Sequence, residues 1–157
     1  MMNLPSMKLT KIEQETLAEI RSIRASAENV PFAFLLDHPA LLVHHFIVST
    51  HGNVQLRMAL LARELGIGMR TLERAFAREY HQTMTQCQVE ARLSFSKWML
   101  SISPPTKISA VASILGYEQV QDFNRFFKKH TKQSPSAWSR QQQERNLGES
   151  NDSGASP

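Results

Sequence analysis

Cysteine is nearly missing from this chain. Cys87 is the only one, so no internal disulfide can form, which fits a reducing compartment. No apolar run approaches the ~18 residues that a membrane helix needs, and Met1 to Thr10 lacks a secretory signal pattern. No segment reads as a strand longer than a few residues, and no glycine-rich loop is present to cradle a phosphate. His38, His44, His45 and His51 form a histidine-rich stretch, but no cysteine or carboxylate pattern completes a metal site around them. Cys87 lies on the inward stripe of a helix, where an inert buried thiol is expected rather than a nucleophile. The expectation is an all-α, cytoplasmic protein that is no enzyme and uses no cofactor, no metal and no membrane.

What is present is positive charge, unevenly placed. The net charge of the 157 residues is +4. Residues 1–40 contribute −1, residues 41–91 +1, residues 92–145 +6 and residues 146–157 −2. A local excess of this size suits a polyanionic partner, although a solvated surface would look the same.

A repeated pattern shifts the balance toward the first. Met58-x-x-Leu61-Ala62-x-x-Leu65-Gly66-Ile67 returns as Ile108-x-x-Val111-Ala112-x-x-Leu115-Gly116-Tyr117. Leu72-x-Arg74-x-Phe76-x-Arg78 returns as Phe123-x-Arg125-x-Phe127-x-Lys129. The offset is 50 residues up to the glycine and 51 beyond it, so the second copy has one extra residue in or just after its turn. A short apolar-faced helix, a glycine turn and a second helix carrying basic residues make a helix-turn-helix.

The rest of the chain arranges itself around these copies. Thr10 and Glu13 fit a capping box for a helix over 11–27, with Ile12, Thr16, Ile20 and Ile23 about one turn apart. Residues 31–39, apolar and bounded by prolines, read as a packed connector. A helix is predicted over 41–51 with Leu42, His45, Phe46 and Val48 inward, broken at Gly52 and Asn53. Helices over 56–65 and 69–80 follow. Thr83-x-x-Gln86 is a second capping box, opening a helix over 84–100 with Cys87, Ala91, Phe95 and Trp98 near one stripe. Pro104-Pro105 ends it. Helices over 108–115 and 121–131 make the second copy, and Ser134-Pro135 starts a last short helix. The glycine- and serine-rich tail reads as disordered. The predicted organisation is a helix and connector in 1–40, a first helix-turn-helix in 41–83, a linker helix in 84–103, a second helix-turn-helix in 104–145 and a tail in 146–157.

In a helix-turn-helix the second helix lies in the major groove. With Leu72 and Phe76 inward, Arg70, Thr71, Glu73, Arg74 and Arg78 are outside. With Phe123 and Phe127 inward, Gln121, Asp122, Asn124, Arg125 and Lys128 are outside. Arg70 and Arg74 share a face, as do Gln121 and Arg125 at matching positions. Arginine suits guanine and glutamine suits adenine, which makes these four the base-contact candidates, with Thr71, Glu73 and Asn124 secondary. Arg78, Lys107, Lys128, Lys129 and Lys132 suit phosphates. Any one such arginine is more often merely solvated; two copies in register argue for double-stranded DNA as partner. A helical protein-interaction module is the alternative, but it would carry acidic patches in place of Arg70, Arg74 and Arg125.

From about Phe46 to Arg140 the chain resembles the DNA-binding domain of the AraC/XylS transcription regulators. The second copy carries most of the likeness: the alanine and glycine-aromatic of its turn, then Phe123-x-Arg125-x-Phe127-Lys128, then Ser134-Pro135-x-x-Trp138-x-Arg140. The resemblance implies two helix-turn-helix subdomains joined by a long helix, recognition helices in successive major grooves, and activation through RNA polymerase by a monomer or weak dimer. Four positions depart from the family: His81 and Lys132 where glycine is usual, Met84 for proline, and Trp138 for tyrosine. The first two make a left-handed backbone less favourable. Most members also carry an effector-sensing domain, and about 40 residues precede the match here. That leaves a short regulator set by its abundance, or a fragment of a longer ligand-responsive chain. The helix over 11–27 is then a linker, a dimerisation helix or a packing element of its own domain.

Overall fold

The computed structural model describes residues 37–53 and 58–152, together with Lys11, Gln14, Glu15, Leu17 and Ala18. Those five are helical, Leu17 is buried, and Lys11 lies 3.8 Å from Glu15 one turn on. The capping box at Thr10 and Glu13, the stripe Ile12, Thr16, Ile20 and Ile23, and most of the connector lie outside the described residues. From residue 39 the elements are α1 (Pro39–Ser49), α2 (Met58–Glu64), α3 (Met69–Tyr80), α4 (Met84–Ser101), α5 (Ile108–Ile114), α6 (Val120–Thr131) and α7 (Pro135–Asp152). Among the described residues there is no strand.

The described chain divides into two compact units. The first runs to Thr50 and resumes from residue 58 to Cys87; the second holds 51–53 and everything from Gln88. In the first, Leu42, Val43 and Ile47 of α1, Leu61 and Ala62 of α2, and Leu72 and Phe76 of α3 are buried. In the second, Leu100, Val111, Ala112, Leu115, Phe123 and Phe127 form the buried cluster. Trp138 and Tyr117 pack against it. Leu61, Ala62, Leu72 and Phe76 and their counterparts Val111, Ala112, Phe123 and Phe127 are thus core positions of the two units.

The turns repeat down to their hydrogen bonds. In the first, Gly66 N–H donates to Arg63 O and Ile67 N–H to Ala62 O, each at 3.0 Å. In the second, Gly116 N–H donates to Ser113 O and Tyr117 N–H to Ala112 O, also at 3.0 Å. This is the Schellman pairing that satisfies the last carbonyls of a helix, and it needs a left-handed residue. Gly66 (φ 70°) and Gly116 (φ 79°) supply it. The extra residue of the second copy falls inside the turn: helix α3 is capped by Gly68, two residues past its glycine, and α6 by Gln119, three past.

The two glycines are not equally replaceable. A Cβ on Gly66 would meet nothing within 4 Å, whereas one on Gly116 would lie 2.5 Å from Asn53 Oδ1. Asn53 Nδ2 holds Ile114 O at 3.1 Å. Gly66→Ala should therefore cost about 1 kcal/mol of backbone strain. Gly116→Ala should cost roughly 2 kcal/mol, because the Asn53 bond is lost as well. Chemical denaturation of both variants measures the difference; equal losses would show that Asn53 moves aside freely.

Several helix ends follow from local chemistry. Thr83 Oγ1 accepts from Gln86 N–H at 3.1 Å and Gln86 Oε1 accepts from Thr83 N–H at 2.8 Å, a complete capping box at the start of α4. Ser134 Oγ accepts from Ala137 N–H at 3.2 Å at the start of α7, with Pro135 in the first turn. His81 (φ 54°) and Lys132 (φ 64°) close α3 and α6 in the left-handed conformation. The left-handed backbone that usually calls for glycine forms there without it, at a local cost of about 1 kcal/mol each.

Three expected details differ. On α1, His45 and Val48 point to solvent and Phe46 is half-buried; the inward face is Ala40, Leu42, Val43 and Ile47. On α4, Cys87 is buried and Ala91 and Phe95 are half-buried, but Trp98 is 60% exposed, while Ser96 and Leu100 are buried. Helix α4 belongs to the first unit up to Cys87 and to the second beyond it, so no single stripe serves its whole length. Helix α7 is not short: it runs to Asp152, and the first residues of the expected disordered tail are helical. Ser139 Oγ donates to Leu100 O, Gln143 Nε2 to Ile102 O and Asn146 Nδ2 to Ser101 O, at 3.0–3.1 Å. Side chains of α7 thereby satisfy carbonyls at the end of α4, which favours continuing the helix.

Candidate nucleic-acid interface

In the first unit, helix α3 buries Leu72 and Phe76 completely. The residues between them are forced outward by the helical period. Arg70, Thr71, Glu73, Arg74 and Arg78 are all exposed. Arg70 and Arg74 are one turn apart in the first half of the helix, where a side chain reaches furthest toward a duplex lying at that end.

In the second unit, helix α6 buries Phe123 and Phe127 in the same way. Gln121, Asp122 and Arg125 are exposed, as are Lys128, Lys129 and Lys132. Lys107, at the N-cap of α5, is also exposed. Asn124 differs from its neighbours: it is half-buried, and its Oδ1 is buried with no hydrogen-bond partner. A recess brings Asn124, Arg125 and Lys128 together with Ser134 and Ser136 at the start of α7. Lys132 Nζ donates to Lys129 O at 3.2 Å, which holds the Lys132 ammonium near the end of α6.

Two charged residues have roles that the sequence patterns did not assign. Arg92 belongs to the architecture of the second unit. Its Nε donates to Gly52 O at 2.8 Å, its Nη1 to Tyr117 Oη at 3.4 Å, and its guanidinium lies 5.5 Å from the Tyr117 ring centre. Burial raises the Tyr117 pKa and the Arg92 charge opposes that rise, so the phenol stays neutral and donor-competent at ordinary pH. The other is Asp122, whose carboxylate accepts a hydrogen bond from Arg125 Nη2. The three-residue spacing of Asp122 and Arg125 was the available signal.

The histidines have structural surroundings. His44 stacks on Tyr80 with ring centres 4.2 Å apart, and His51 stacks on Phe95 at 4.0 Å. Among the described residues, no group of three His, Cys, Asp or Glu is placed to hold a metal ion, and no helix is long and apolar enough to cross a membrane.

Two compact units, each with a glycine turn leading into a helix that buries two large apolar side chains and exposes basic residues, define a paired helix-turn-helix DNA-binding protein. A family model described as a helix-turn-helix domain matches residues 61–141, just over half of the chain. The chain belongs to the AraC-type helix-turn-helix family, whose members are DNA-binding transcription regulators. The fold is similar to the C-terminal domain of the two-component response regulator yesN from Fusobacterium nucleatum (TM-score 0.54, 20% identity, covering 62% of this chain and 94% of that one). It is also similar to a DNA-binding transcriptional dual regulator from Escherichia coli K-12 (TM-score 0.53, 20% identity, 65% and 90% covered). No curated protein matches the chain.

Proposed function

We propose that this regulator is sequence-specific and reads double-stranded DNA with α3 and α6 in two adjacent major-groove segments, bound as one protomer. The observation that carries this reading is the equivalence of the two units. The same turn bonds and the same buried pair leave Arg70 and Arg74 exposed on α3, and Gln121 and Arg125 exposed at the matching positions of α6. Arg70, Arg74 and Arg125 are chemically suited to guanine O6 and N7, and Gln121 to adenine. Thr71, Glu73 and Asn124 are secondary contacts; of these Asn124, half-buried, is the least available. Arg78, Lys107, Lys128, Lys129 and Lys132 hold phosphates and set the register. Activation through contact with RNA polymerase, a monomeric or weakly dimeric state and a location on the nucleoid in the cytoplasm complete the proposal, and rest on family membership.

Selection of bound sequences from a random DNA pool by the purified protein, at near-physiological salt, tests it. The expected result is one enriched motif with two blocks about ten base pairs apart. One block alone would mean that one unit only grips the backbone. Salt-sensitive binding with no enrichment would remove sequence reading from the proposal.

Lysine 128 provides a separate check on the phosphate assignments. Lys128→Ala should weaken binding to all duplexes alike and reduce the salt slope by about one, as expected for one lost phosphate contact. Titrations at three salt concentrations measure it, and an unchanged slope would remove Lys128 from the backbone-contact set.

A further inference from the structure

The second recognition helix carries an acid on the face that would approach DNA, and the acid is attached to one of the four base-contact candidates. Asp122 lies in the first turn of α6, and its Oδ1 accepts from Arg125 Nη2. The pair is open to solvent, with the side chains 50% and 79% exposed. An exposed pair of this kind contributes little to folding, and an acid at a helix N-terminus gains only a modest favourable interaction with the helix dipole. The first effect is small, and the second does not involve the arginine at all. The first unit lacks the arrangement: the residue matching Asp122 is Thr71, an uncharged hydroxyl one turn before Arg74.

A carboxylate entering the groove is repelled by every phosphate, so it weakens binding unless it does something there. Arginine presents five N–H donors in a rigid fork. With Nη2 tied to Asp122, the remaining donors stay available to pair with O6 and N7 of one guanine. The held guanidinium can no longer swing freely onto a neighbouring phosphate. The second carboxylate oxygen can accept only from an amino group, which in the major groove means cytosine N4 or adenine N6. It is repelled by the acceptor atoms of guanine and thymine. The ion pair also strengthens when the groove excludes water.

We propose that Asp122 is a specificity-determining positioning residue, which orients Arg125 toward guanine and selects an amino-bearing base beside it. This rests on the DNA-reading function above. Asp122→Asn keeps the shape and removes the charge. The variant should bind a random duplex more tightly than the parent, yet discriminate about tenfold less between the selected duplex and one changed at the second block.

Fluorescence anisotropy on three duplexes (selected, changed at the second block, random) tests this with the parent protein, Asp122→Asn, Arg125→Ala and the double variant, each checked for helical content. Asp122 acting through Arg125 predicts that Asp122→Asn has little further effect on discrimination once Arg125 is alanine. The inference is overturned if Asp122→Asn leaves discrimination within about twofold of the parent. Equal effects with and without Arg125 would also overturn it, since Asp122 would then act only as a free charge. A parent protein that does not discriminate among the three duplexes would instead remove sequence reading itself, and this role with it.

Discussion

Phe127→Ala is expected to destabilise the second unit by ~3–5 kcal/mol, the usual cost of emptying a phenylalanine site in a core. Phe127 is fully buried. Its ring centre lies 5.9 Å from that of Phe123 and 6.1 Å from that of Trp138, so truncation leaves a cavity walled by two other rings. A small unit has little reserve, because whole domains are stable by only about 5–15 kcal/mol. Half-buried Phe126, next along α6, is the control: Phe126→Ala should cost much less. Thermal unfolding followed by circular dichroism measures both. A loss below about 1 kcal/mol for Phe127→Ala would mean that the core of α5, α6 and α7 can collapse around the gap. DNA binding should fall with the unfolding of this unit, since α6 presents its side chains only while Phe123 and Phe127 are docked.

That dependence explains how much of the fold was legible. The apolar positions recur at fixed spacing and alternate with polar ones, so the helical period alone separates Leu72 and Phe76 from Arg70 and Arg74. The bounds of α3 matched the expected helix, because a left-handed glycine turn precedes it and a left-handed residue follows it. Thr83 and Gln86 were readable for the same reason: their capping bonds are local. What escaped depended on residues distant in sequence. Trp98 looked inward on a helical stripe but is exposed, because the second unit uses Ser96 and Leu100 instead. Helix α7 looked short, because nothing local announces that Gln143 and Asn146 bond carbonyls more than forty residues earlier. At the interface, the period exposes the right side chains but cannot tell a free arginine from a tethered one. Arg92 and Arg125 are equally basic in sequence, yet one is tied to Gly52 O and Tyr117 and the other to Asp122 on its own helix.

The base-contact assignment makes the largest functional prediction. Arg74→Ala and Arg125→Ala should each cost ~1–3 kcal/mol of specific affinity, the worth of one bidentate arginine-guanine pair. They belong to different compact units, so their effects should add in the double variant. The double loss is then about 2–6 kcal/mol, which brings specific binding close to the nonspecific level. Phosphate contacts are untouched, so binding to random DNA should change far less, by no more than the general effect of lost positive charge. This contrast is what separates readers from anchors: loss of affinity for the selected duplex with retained salt-dependent binding to random duplex. Two losses of equal size on both duplexes would reassign these arginines to the backbone. An unchanged affinity for the selected duplex would move base reading to other residues of α3 and α6. The two arginines need not contribute equally. Arg125 is already tied to Asp122, so on the proposed reading less freedom would be lost when it pairs with a base, and its removal should cost at least as much as that of Arg74.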